Sequence, residues 1–399
     1  MFNLLQIDAT DSQAMTASLN AAFHGKPASL LIATGNVASM KILQELEDPQ
    51  RFSTNWIACS SCIGAASSFG VDQVSDRRLT LLVVEDPAGS YGVASVVQVP
   101  GDIVQQAAAT VKAAILRAKR PAELPALIWC MQAPGYEEQI IAGIQQVVGD
   151  QVPILGGSAA DDAVTGEWCQ YDGQQLAGNL LVIAVLYPTV AISSYFSSGY
   201  STEPFSGTVT EVQGRRITKI NDQSALEVYN NWLQQTGAPQ QAPGQVMSDC
   251  TYYPLGRQLA AKDIPFSLLS LPTNIHNDGG IETLSEVQPG DVVTLMSGSK
   301  EQLVRRASHV VRVATNNLRL RHQTEPAAAL IVYCAGCMLA VRAEIEQVQR
   351  SLTEALPGLP YLVAFTFGEQ GCFADGYNRH GNLMISAVLF GQQHQERLP

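Results

Sequence analysis

One half of this chain echoes the other. Gly178-Asn179-Leu180, running into Ala184-Val185-Leu186-Tyr187, recurs as Gly381-Asn382-Leu383 running into Ala387-Val388-Leu389-Phe390, an offset of 381 − 178 = 203 residues. The preceding segments match as well. Each time an amphipathic helix leads to an apolar strand with an aromatic-Cys pair, Trp129-Cys130 and then Tyr333-Cys334. A second helix follows, then a strand entering a Gly-rich turn, Gly156-Gly157-Ser158 and then Gly368-Glu369-Gln370-Gly371. Alternating helices and strands imply mixed sheets covered by helices. The fold class is therefore α/β (mixed α+β), built as two related lobes, and a pocket within or between lobes is where a small ligand is expected.

Charge and hydropathy narrow the function. The net charge is −12 and no Lys/Arg run stands out, so nucleic acid is not an expected partner. The longest apolar run, Leu180–Tyr187, suits a buried strand and is too short to span a bilayer. The N-terminus, Met1 to Asp8, lacks a cationic region and a long apolar core, so no secretory signal is read. Cytoplasmic residence without membrane insertion is the expectation, with the eight cysteines mostly reduced.

A pass along the chain places strands at Ser29–Ala33 and Asn55–Cys59. It reads Leu79–Val84 and Gly92–Val99 as an antiparallel pair turning at Asp86-Pro87-Ala88-Gly89. Asp102 caps a helix that continues to Arg117. Gly207–Val212 and Arg216–Ile220 flank a hairpin turn, and Asn277-Asp278-Gly279-Gly280 marks another. Lys300–Thr315 and Leu339–Ala355 read as helices.

The chemistry-bearing residues cluster after strands, where open α/β sheets hold ligands. Two Cys-x-x-Cys pairs, Cys59/Cys62 and Cys334/Cys337, offer four thiolates, the ligand set of a zinc or iron–sulfur centre. Buried or pocket-lining free thiols are the plainer reading. Cys334-Ala335-Gly336-Cys337 also opens a helix, which lowers a thiol pKa and leaves thiol–disulfide chemistry as an alternative. Gly156-Gly157-Ser158-Ala159-Ala160-Asp161-Asp162 offers bare backbone N–H groups to an anion and two carboxylates to an ammonium, or is a turn capped by its own aspartates. Ser60 and Ser61 have no nucleophile elbow around them. The histidines form no zinc-binding helix motif. His276 and His380 fall in expected turns, His309 in a helix and His394 in the tail, each a surface or satisfied histidine, with a haem ligand among them left open. No catalytic constellation emerges, and the chain is read as not an enzyme.

These residues, in this order, resemble the FIST (F-box and intracellular signal transduction) sensory domain family. Cys59-Ser60-Ser61, the Gly156–Asp162 stretch, Gly214-Arg215-Arg216-Ile217, Tyr253-Pro254-Leu255-Gly256, Pro289-Gly290-Asp291-Val292, Cys334-Ala335-Gly336 and Phe365-Thr366-Phe367-Gly368-Glu369 carry the resemblance. It implies a FIST N-like lobe over 28–222, a FIST C-like lobe over 223–390 and a tail over 391–399. It further implies a stand-alone sensory module that binds a small ligand, such as an amino acid, and signals to a separate effector. The effector class it implies is a histidine kinase or a cyclic-di-GMP enzyme. Haem-based nitric-oxide sensing and an iron–sulfur centre are the cofactor alternatives. The expected ligand-binding residues are Cys59, Ser60, Ser61, Gly156, Gly157, Ser158, Asp161, Cys334, Gly368 and Glu369. The expected metal ligands are Cys59, Cys62, Cys334 and Cys337. Cys337 stands where the family tends to have Arg, an exchange that weakens a carboxylate site.

Overall fold

A computed structural model describes residues 1–73, 75–258, 267–373 and 375–393. The end of the tail, with His394, lies outside the described residues.

The repeat continues into a third copy. Three sheets share one strand order. In the first, Phe2–Asp8, Arg78–Val84, Leu30–Gly35 and Trp56–Ser60 lie side by side. In the second the order is Ser90–Val97, Leu180–Tyr187, Leu127–Gln132 and Ile154–Ser158. In the third it is Ile192–Ser198, Met384–Gly391, Pro326–Cys334 and Tyr361–Thr366. Each time the first strand pairs antiparallel with the last strand of its unit. That last strand pairs antiparallel with the second. The second pairs parallel with the third. The parallel step needs a helical crossover, which is why each unit alternates strand and helix.

The units exchange hairpins in a ring. The first unit's hairpin, Ala65–Ser67 with Gly70–Val71, extends the third sheet beside Tyr361–Thr366. The second unit's hairpin, Gln170–Tyr171 with Leu176–Ala177, extends the first sheet beside Trp56–Ser60. The third unit's hairpin, Gly368–Cys372 with Asn378–Gly381, extends the second sheet beside Ile154–Ser158. Each sheet is therefore completed by another unit, and separating any unit would leave a sheet edge unpaired.

A further antiparallel sheet is inserted in the third unit, between Ile192–Ser198 and the helix Lys300–His322. It includes Ser201–Gln213, Arg216–Ile220, Val292–Ser297 and Leu255–Gln258. The inserted helix Ala225–Thr236 packs Tyr229, Trp232 and Leu233 into its core. The long helix starts with a capping box between Ser299 and Gln302. Asp102 caps Ile103–Arg117 as its sequence implies, accepting from Gln105 N at 3.0 Å.

One pairing differs from the sequence reading. Arg78–Val84 and Ser90–Val97 are not partners. The first pairs with Phe2–Asp8 and Leu30–Gly35, the second with Leu180–Tyr187. The Asp86–Gly89 turn carries the chain from one sheet to the next.

Candidate functional site

The site begins at the start of the helix Glu137–Val148. Strand Leu127–Gln132 ends, the chain turns through Pro134 and Gly135, and two acidic residues occupy the first helical turn. That position suits negative charge, because the helix dipole is positive there. Glu137 is 3% exposed. Its Oε1 accepts from Ser158 Oγ at 2.7 Å and from Gly135 N at 3.0 Å. Its Oε2 has no hydrogen-bond partner and lies 3.7 Å from the Arg215 guanidinium.

Glu138 lies between two cationic side chains. Its Oε2 is 3.0 Å from Arg215 Nη2, and its Oε1 is 3.1 Å from His380 Nδ1. Arg215 comes from the turn between Ser201–Gln213 and Arg216–Ile220, and donates to Leu284 O at 2.6 Å. His380 comes from the hairpin strand that the third unit lends to the second sheet. Burial opposes a charge on His380, but Glu137 and Glu138 outweigh it and raise its pKa. Burial likewise works against ionised Glu138, yet the His380 hydrogen bond, its charge and Arg215 hold that carboxyl at about 2.

Glu137, Arg215 and His380 edge a cavity of about 310 Å³. Its walls are mostly apolar, with Trp168, Leu271, Leu284, Leu339 and Phe367 facing inward. Trp168 stacks edge-on against Phe367 at 6.1 Å. Cys334 and Gly336 close one side, and Asn382 supplies an amide. Asn382 is 2% exposed, and its Nδ2 has no hydrogen-bond partner. A broader hollow of about 460 Å³ between Asp86 and Lys119 is open, and its acid is already engaged by Tyr91 and Thr189.

The residues expected from sequence divide into two groups. Cys334 lines the cavity. Ser158 orients Glu137, and Gly368 sits so close that a Cβ there would stand 2.8 Å from His380 Nε2. Gly157 pairs with Glu369 across the sheet junction. Gly156 takes φ +135° beneath the Cys130 carbonyl, where a Cβ would lie 1.9 Å away. Glu369 is fully buried behind Cys334. Burial and that thiol raise its pKa well above the usual carboxyl range, while Met384 N and Thr366 donate to it.

The rest stay away from the cavity. Ser60 Oγ accepts from Cys169 N, and Ser61 Oγ bonds Gly64 O and accepts from Phe365 N, so both stitch units together. Asp161 accepts from the N–H groups of Thr165, Gly166 and Glu167, the local turn cap that was one of the two readings of this stretch.

The four-cysteine metal centre is corrected. Cys59 points between sheets, its Sγ 3.3 Å from Met131 Sδ, while Cys62 sits with Cys334 and Cys337 in another core. Among the described residues the one cluster of metal-ligating side chains within reach of each other is Glu137, Glu138 and His380. An iron–sulfur cluster on the four thiols therefore does not fit.

The helix-start reading of Cys334 also changes. A hydrogen bond shared with Cys337, then burial, raises its pKa well above the ordinary thiol value. Its sulfur is a buried thiol rather than a reactive thiolate. Sequence reasoning missed Glu137, Glu138, Arg215, Trp168 and Asn382 as site residues, and placed His380 in a turn.

Models of the FIST N domain and the FIST C domain match residues 11–223 and 225–372. The chain belongs to the FIST family. FIST domains are sensory domains that bind small ligands. The cavity of this FIST chain draws Glu137 and Trp168 from the first matched segment and Cys334 from the second. No curated protein matches it. Several solved structures do. One is a crystal structure of cyanuric acid hydrolase from A. caulinodans, 10% identical over 98% of this chain and 99% of that one, at a TM-score of 0.43. This match to an enzyme corrects the expectation that the chain is not one, which is not retained. At that TM-score the likeness transfers no activity to this FIST chain. No helix among the described residues is long and apolar enough to cross a membrane.

Proposed function

We propose that this chain senses a small amphiphilic ligand held in the cavity between Trp168 and Cys334. One observation carries the reading. Glu137 Oε2 and Asn382 Nδ2 are both buried, both line the cavity and both lack a hydrogen-bond partner. Leaving such groups unmatched costs ~1–3 kcal/mol each, a cost that a bound polar group removes. The apolar walls then take the rest of the ligand. Cys334, Ser158, Gly368 and Glu369 act in this reading as the lining and its support. Arg215 supplies a guanidinium to the cavity despite Cys337 standing at the family's usual arginine position.

Occupancy is then passed to a separate effector protein, with a histidine kinase or a cyclic-di-GMP enzyme as the class the family implies. The lobes 28–222 and 223–390 are the proposed functional halves. Thermal-shift screening against small amines, carboxylic acids and amino acids tests the reading. Asn382→Leu, which also removes the acceptor for Leu271 N at 3.4 Å, should lower ligand affinity at least tenfold. A panel with no stabilising compound, or a hit bound equally by Asn382→Leu, would overturn it.

A further inference from the structure

We infer that Glu137, Glu138 and His380 form a binding site for one divalent first-row metal ion at the polar end of the cavity. The inference rests on the cavity being a ligand site and names what meets Glu137 there. The three side chains offer ligand atoms that all lie within 4.8 Å of one another. His380 Nδ1 and Glu138 Oε1 are 3.1 Å apart. Two ligands bound at ~2.1 Å and roughly at right angles to each other lie about 3 Å apart, so this spacing suits neighbouring positions on one metal.

A second observation points to a missing cation. Glu137 Oε2 is buried and without a hydrogen-bond partner, with the Arg215 guanidinium 3.7 Å away. Its other oxygen is fixed by Ser158 and Gly135, and Glu286 N approaches Glu138 Oε1 at 3.4 Å. Such outer hydrogen bonds orient metal-binding carboxylates. Two oxygens and one imidazole nitrogen suit zinc, manganese or iron(II) rather than thiolate-seeking ions. The adjoining cavity leaves coordination positions open toward a bound ligand.

Arg215 is the competing cation. Its guanidinium sits 3.0 Å from Glu138 and 3.7 Å from Glu137, where a metal would partly replace it. Metal entry therefore requires Arg215 to swing away and His380 to release any proton on Nδ1. The site should bind more tightly when Arg215 is removed.

Cobalt(II) alone, titrated into the full chain without organic ligand, tests the proposal by absorption spectroscopy and calorimetry. One equivalent should bind, with visible bands of oxygen and nitrogen ligation and no thiolate charge-transfer band. Glu138→Gln and His380→Asn should each weaken binding at least tenfold. Arg215→Ala, which leaves all three ligands in place, should tighten it severalfold. Absence of binding, a thiolate band, or affinity unmoved by Glu138→Gln and His380→Asn would overturn the site. Should those two variants fail to fold, Arg215→Ala still decides, because unchanged or weaker binding contradicts the competition. Failure of the metal titration leaves the organic-ligand screen untouched, so the two readings fall separately.

Discussion

Glu138→Gln removes the carboxylate that joins the second unit's helix, the borrowed hairpin and the inserted sheet. Its side chain is 29% exposed and holds Arg215 at 3.0 Å and His380 at 3.1 Å. The carboxyl lies at about 2 against an ordinary 4.5. At about 1.4 kcal/mol per pKa unit, that shift corresponds to about 3 kcal/mol of stability. Both side chains of the Arg215 pair are 29% exposed, so solvent screening brings the expected deficit to about 1–3 kcal/mol. The sign with pH follows from both partners. The depressed pKa of Glu138 makes its contribution present above 4.5 and lost as pH falls toward about 2. The raised pKa of His380 makes its contribution full below 6.5 and lost as pH climbs through the raised value. The variant's deficit should therefore be largest between about pH 5 and 6.5 and shrink as pH climbs through the raised His380 value, above which Arg215 remains paired. Urea unfolding of both proteins, followed by tryptophan fluorescence across this range, measures it. A deficit below about 1 kcal/mol throughout, or one that grows with pH, would refute the electrostatic account.

Gly156→Ala should cost more than about 3 kcal/mol or abolish soluble expression, because φ is +135° and the new Cβ meets the Cys130 carbonyl at 1.9 Å; a melting temperature within two or three degrees of wild type would contradict this. Gly336→Leu should fill the cavity and remove ligand binding with little loss of stability, since a Cβ there meets Cys334 Sγ and Leu383 at an ordinary 3.6 Å; calorimetry with a screening hit checks it. Titration of native protein with an aromatic disulfide reagent should modify Cys372 first, because the other seven cysteines are buried, and all eight only after denaturation.

The repeat was legible because the last strands of the second and third units are almost wholly apolar, Ser386 being the polar exception. They share a Gly-Asn-Leu entrance, Gly178–Leu180 and Gly381–Leu383. The first unit lacks that entrance, and its opening strand, Phe2–Asp8, is only partly buried, so its periodicity is weak. The Asp86–Gly89 turn showed where the chain reverses but not which strand it meets. The hairpin exchange was invisible for the same reason. Pairing Gly368–Cys372 with Ile154–Ser158 joins residues about two hundred positions apart, and no local pattern encodes that partner.

The site was legible where backbone geometry marks it. Ser158, Gly368 and Cys334 stood out because each lies at one end of a strand. Glu137, Glu138, Arg215 and His380 did not, because each looks like an ordinary helix, turn or strand residue alone. His380 meets Glu138 across 242 residues, far beyond any ligand-spacing motif. The paired cysteines misled in the opposite direction. Their spacing suggests a metal, but strand alternation turns Cys59 toward Met131 and away from Cys334.

A crystal structure of the chain with a compound from the thermal-shift screen tests the central claim most directly. The account predicts the compound in the 310 Å³ cavity, its apolar body against Trp168 and Leu284 and its polar end beside Glu137, Arg215 and Asn382. Density confined to the open hollow between Asp86 and Lys119, with the cavity collapsed or unchanged, would contradict it.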